Sequence, residues 1–129
     1  MRTRALAAAA VLAALLVVPM ASLPAVANED DVERSGNCGR RSDWKLKLSP
    51  ENGGIEVEFE VDQSKIGRRW RVGLRHDGYR FFRGIRTTKA PSGSFEVRRV
   101  INNTRGKDGV TAFARNLRSG EVCRGAASI

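Results

Sequence analysis

The sequence predicts an all-β domain, an antiparallel β-sandwich or small barrel of about seven strands with its ends tied by one disulfide. Three observations carry that expectation. Short runs of alternating apolar and polar residues recur at intervals near ten residues, separated by Gly, Pro, Asn and Asp. After Ala27 no stretch repeats its apolar residues at the helical period. Cys38 and Cys123, the only cysteines, stand near the two ends of what remains once a leader is set aside.

That leader comes first. Arg2 and Arg4 precede an unbroken apolar run from Ala5 to Val18, Pro19 ends it, and Ala25-Val26-Ala27 follows. A positive start, an apolar stretch of this length and an A-x-A ending make residues 1–27 a signal peptide. The run is short of the roughly 20 residues a bilayer-spanning helix requires. The expected mature chain, 28–129, is therefore secreted or left at the cell exterior, where a cysteine pair forms a disulfide. Two cysteines without a His cluster make a poor metal site.

Residues 28–41 read as a flexible leader and disulfide loop, being acidic at first and nearly free of apolar side chains. The sandwich is expected over 42–129. Trp44, Leu46 and Leu48 alternate with lysines, and Ser49-Pro50 ends that strand before the Asn52-Gly53-Gly54 turn. Ile55, Val57, Phe59 and Val61 alternate with Glu56, Glu58, Glu60 and Asp62, the cleanest two-residue period in the chain. Trp70, Val72 and Leu74 alternate with Arg69, Arg71 and Arg75. Asp77-Gly78 is a two-residue hairpin signal that sets Leu74 opposite Phe81 and Arg75 opposite Arg80. Phe82 breaks the alternation, so a bulge is expected near Arg83-Gly84. Further strands follow at Phe95–Ile101, Val110–Arg115 and Glu121–Ala127. The second and third strands either pair as a hairpin, matching Asp62 with Arg69, Glu60 with Arg71 and Glu56 with Arg75, or lie in opposite sheets.

Seven strands with Trp70 on the third resemble an immunoglobulin or fibronectin type III sandwich. The Ala-rich leader and Arg-rich remainder also resemble small exported actinobacterial proteins of uncharacterised function. The likeness implies a fold and a compartment, and no function travels with it. It departs from antibody domains in one respect: Cys38 precedes the first strand and Cys123 lies on the last, so the bond ties the chain's ends.

The chain holds 23 basic and 14 acidic residues, a formal +9 that becomes +7 without Arg2 and Arg4. Ten of the acidic groups fall between Asn28 and Asp62, and fifteen of the basic ones between Lys65 and Arg118. Such an excess favours anionic partners through salt-sensitive contacts. The candidate anion-binding residues are Arg69, Arg71, Arg75, Arg80, Arg83 and Arg86, with Phe82 as a candidate stacking residue among them, because guanidinium takes phosphate, sulfate or carboxylate bidentately. The plainer alternative is an ordinary basic surface.

Catalysis has little to stand on. His76 is the single histidine and flanks a turn, and no G-x-S-x-G elbow occurs. Glu56, Glu58 and Glu60 form a solvated strand face, and the leader acids lack the spacing of a calcium loop. A non-enzymatic exported module without metal or cofactor is expected, binding an anionic envelope polymer or a protein partner. An edge-strand interaction domain, or a small enzyme inhibitor using the 87–93 loop, is the alternative.

Overall fold

The computed structural model describes residues 30–129, so the signal-peptide reading of 1–27 lies outside the described residues. Among the described residues there is no helix, and eight strands form two antiparallel four-stranded sheets. The strands are β1 (Val32–Asn37), β2 (Asp43–Glu51), β3 (Gly54–Asp62), β4 (Arg69–His76), β5 (Tyr79–Thr87), β6 (Ser94–Asn102), β7 (Gly109–Asn116) and β8 (Val122–Ser128). The first sheet runs β1-β2-β3-β6 and the second β5-β4-β7-β8.

The eighth strand is the one the sequence hid. Within 28–41, where composition predicts a flexible leader and loop, Val32–Asn37 instead pairs with β2 as an edge strand, Val32 opposite Leu48 and Asn37 opposite Asp43. Its residues are mostly exposed, so composition alone gives no alternation to detect. β2 also continues through Pro50 to Glu51. Pro50 lies beyond the last pairing with β1, so its missing N–H breaks no ladder.

The two-residue turns behave as their chemistry dictates. Asn52 and Gly53 have φ of 47° and 81°, and Asp77 and Gly78 have φ of 48° and 86°. Positive φ at both central positions is the type I′ geometry that matches strand twist. Arg75 does face Arg80, and His76 faces Tyr79. Leu74, however, faces Phe82 and not Phe81, because the register shifts between Leu74 and Arg75. The bulge therefore sits at Phe81, closer to the turn than Arg83-Gly84.

β3 and β4 lie in opposite sheets, so the hairpin alternative is excluded and its three Glu/Asp–Arg pairs do not form. The carboxylates of β3 find other partners. Arg98 of β6 reaches Glu58 at 2.8 Å and Glu56 at 3.7 Å. A hydrogen bond with the Glu58 carboxyl, aided by partial burial, holds the Glu56 carboxyl above its ordinary range.

The core lies between the sheets, where Leu46, Leu48, Val57, Phe59, Val61, Trp70, Val72 and Leu74 are fully buried. Its two long sides are closed differently. On one side β1 and β2 meet β8, and the Cys38–Cys123 disulfide joins them with Cα atoms 4.4 Å apart. Trp44 packs there over Gly125, where an added Cβ would stand 2.7 Å from the indole. On the other side β5 meets β6, and Phe82 fills the seam.

A carboxylate clasp supports the disulfide loop. Glu121, buried, accepts the Arg40 amide at 2.8 Å, the Ser42 amide at 3.0 Å and the Ser42 hydroxyl at 2.7 Å. Burial alone would push its pKa up, but these donors outweigh it and hold the carboxyl below its usual range.

Candidate functional site

The two outer faces of the sandwich carry opposite charge, and strand parity is the reason. On the first sheet Glu56, Glu58, Glu60 and Asp62 of β3 and Glu96 of β6 point outward beside Lys45, Lys47 and Arg98. On the second, inward Trp70, Val72 and Leu74 force Arg69, Arg71 and Arg75 outward. Cross-strand register adds Arg80 and Arg83 from β5, Arg115 from β7 and Arg124 from β8. No Asp or Glu in these four strands shares that face.

The register makes rows across the sheet. One row runs Arg83, Gly73, Phe113, Arg124. On one side of it lie Arg80, Arg75 and Thr111, and on the other Ile85, Arg71 and Arg115. Neighbouring strands lie ~4.8 Å apart and same-face residues along a strand ~6.7 Å apart. Guanidiniums are thus presented as a lattice. Among the described residues none of these arginines forms an ion pair with a carboxylate. Arg75 donates to the Gly78 carbonyl at 3.1 Å, and Arg124 lies over the Phe113 ring with its guanidinium carbon 4.9 Å from the centroid.

Five of the six arginines singled out from sequence, Arg69, Arg71, Arg75, Arg80 and Arg83, thus share one exposed face. Arg86 does not. It stands opposite Trp70 on the inner side of β5, where its guanidinium carbon lies 4.8 Å from the Phe82 centroid. Arg99 of β6 approaches the same ring at 4.7 Å. Phe82 is 9% exposed, so it is a core residue capped by two cations and offers no free face for stacking. Arg115 and Arg124 are the members sequence reasoning missed. Their parity was readable, but which strands lie beside β4 was not.

Gly73 leaves a shallow groove in the middle of the lattice, about 500 Å3, walled by Phe113 and rimmed by Arg75, Arg80 and Arg124. Comparison with known protein families, curated proteins and solved structures returned no match to this chain.

His76, Asp77 and Asp108 bring one ligand atom each within 4.8 Å of one another. The close oxygens already have partners. Asp108, buried, accepts the Thr104 hydroxyl at 2.7 Å and lies 2.5 Å from His76 Nε2, and Asp77 Oδ1 accepts the Gly109 amide at 2.8 Å. The Thr104 hydroxyl first, with His76 and the Thr104 amide, holds the Asp108 carboxyl below its usual range against the effect of burial. This cluster clips the β4–β5 turn to the segment before β7.

The 87–93 loop is tied down as well. The buried Thr88 hydroxyl donates to the Lys65 carbonyl and accepts the Arg68 amide, and the Gln63 amide bonds the Gly93 carbonyl.

Proposed function

We propose that this protein is an exported, non-catalytic binding module that holds an anionic polymer of the cell exterior against the outer face of the β5-β4-β7-β8 sheet. The observation that carries the reading is the lattice of Arg69, Arg71, Arg75, Arg80, Arg83, Arg115 and Arg124, gathered from four strands without a carboxylate among them. Aligned like charges weaken a sheet, so an arrangement that accumulates them calls for an external anion. Guanidiniums stay charged at any ordinary pH and bind phosphate, sulfate and carboxylate bidentately, which suits binding and gives no proton to transfer.

One feature supports the exported compartment. The disulfide, with Cys123 fully buried, fits an oxidising environment. The kinship with fibronectin type III sandwiches is supported by strand order: of β2 to β8, the first, second and fifth share one sheet and the others the second.

The direct experiment is retention of the mature protein on immobilised heparin and on its own cell envelope across a salt series. Retention at low salt should fall steeply and linearly on logarithmic axes as salt rises. Absence of retention at low salt removes the reading. Edge-strand pairing with a protein partner is the second reading, favoured by Ile85, 38% exposed on the open edge strand β5. It predicts binding indifferent to salt.

A further inference from the structure

Besides Gly109 at the start of β7, three glycines lie in the interior of strands of the second sheet, and packing accounts for two of them. A Cβ on Gly125 would stand 2.7 Å from the Trp44 ring, and one on Gly84 would stand 3.1 Å from Phe82. Gly73 is different. It occupies the centre of β4, an inner strand of its sheet, with no positive φ, and an added Cβ would meet nothing nearer than the Phe82 carbonyl at 4.0 Å. A strand-interior glycine costs stability relative to a residue with a side chain, and here neither backbone nor packing requires one. Its effect is to leave open the floor of the groove between Phe113 and the arginines.

Resting on the anionic-polymer reading above, we infer that this groove is a subsite for one residue of an acidic glycan. The sugar ring lies on the Gly73 backbone beside the Phe113–Arg124 stack, and its sulfate or carboxylate groups are taken by Arg75, Arg80 and Arg124. The observations favour a glycan over single-stranded nucleic acid. Sequence-tolerant binding of single strands relies on aromatic faces open to the bases. On this face Phe113 is covered by Arg124, and Phe82 is interior. A saturated ring needs a flat floor and charged groups at its rim more than an open aromatic face, and the Gly73 backbone and the arginines supply both. Arg124, held by its stack on Phe113, is oriented in advance of binding.

The test uses the mature protein with three probes: a sulfated oligosaccharide of defined length, a single-stranded oligonucleotide of equal net charge, and long-chain heparin on a column. Calorimetric titration should show the oligosaccharide bound more tightly than the oligonucleotide. Gly73→Val should weaken the oligosaccharide by about tenfold, while long-chain heparin is still retained at low salt by the untouched arginines. The thermal midpoint of Gly73→Val should be no lower than that of the parent, because a β-branched residue suits an open strand position. Gly73→Ala, adding a single carbon, should shift affinity in the same direction by less. Unchanged oligosaccharide affinity in both variants would overturn the subsite while leaving the polymer reading intact. Equal affinity for the oligonucleotide, equally lost in the variants, would overturn the glycan assignment. Failure of the parent to be retained on heparin overturns both readings.

Discussion

Arg71 of β4 and Arg115 of β7 are direct cross-strand partners on the outer face of the second sheet, two like charges with no carboxylate beside them. Such a pair costs a few tenths of a kcal/mol. Arg115→Thr should therefore stabilise the fold by about 0.5 kcal/mol at low salt, and the gain should shrink as added salt screens the pair. The same variant should elute from heparin earlier than the parent. Urea midpoints at two ionic strengths, with the elution position, check both halves.

Phe82 and its two guanidiniums give a second expectation. Phe82→Ala empties a core position and should cost about 3–5 kcal/mol. Arg99→Ala removes an exposed cation–π contact and should cost about 0.5–1 kcal/mol, and Arg86→Ala removes a half-buried one and should cost about 1–2 kcal/mol. Arg83→Ala should weaken heparin retention more than Arg86→Ala, since Arg86 lies off the lattice. Equal losses of retention would contradict the placement of Arg86.

The Glu121 clasp makes stability depend on pH in a defined direction. Its folded carboxyl sits below its unfolded value, so its contribution is complete above the unfolded pKa of about 4.3 and is lost as pH falls through the folded value. Glu121→Gln should cost about 1–3 kcal/mol at neutral pH. The gap between parent and variant should narrow on acidification below pH ~4. Denaturant midpoints at neutral and acid pH test the sign.

Breaking the Cys38–Cys123 bond frees a loop spanning 85 positions of sequence. The loop-closure estimate for that length is about 4.6 kcal/mol, an upper figure for the loss in a Cys38→Ser/Cys123→Ser double variant. Comparing urea unfolding of the oxidised and reduced chain measures it directly. Identical midpoints would mean that the bond contributes nothing beyond the folds and clasps around it.

Much of the architecture was legible in the residues because it rests on local chemistry. The alternation in Ile55–Asp62 gave β3 its buried and exposed faces, and Asp77-Gly78 gave the β4–β5 turn. What stayed hidden depended on neighbours distant in sequence. β1 is an edge strand with few inward residues, so Glu33, Arg34 and Ser35 look like a leader until β2 lies beside them. The bulge at Phe81 turned on which of two adjacent phenylalanines the core accepts. Arg115 and Arg124 join the lattice only once β7 is known to pair with β4 and β8 with β7, a matter of topology that no period in the chain encodes.

The unlike closures of the two long sides have a mechanical consequence. With Cys38 and Cys123 bonded, the sheets cannot part along the β1–β8 flank, whereas along the β5–β6 flank, beyond the hydrogen-bonded 87–93 loop at one end, the strands are bridged by an aromatic plug and two guanidiniums. Opening must then proceed as a book opens, the sulfur bridge acting as spine, and the first interior exposed to a protease is the page edge around Phe82. Reducing the bridge removes the spine and lets the covers separate from either side.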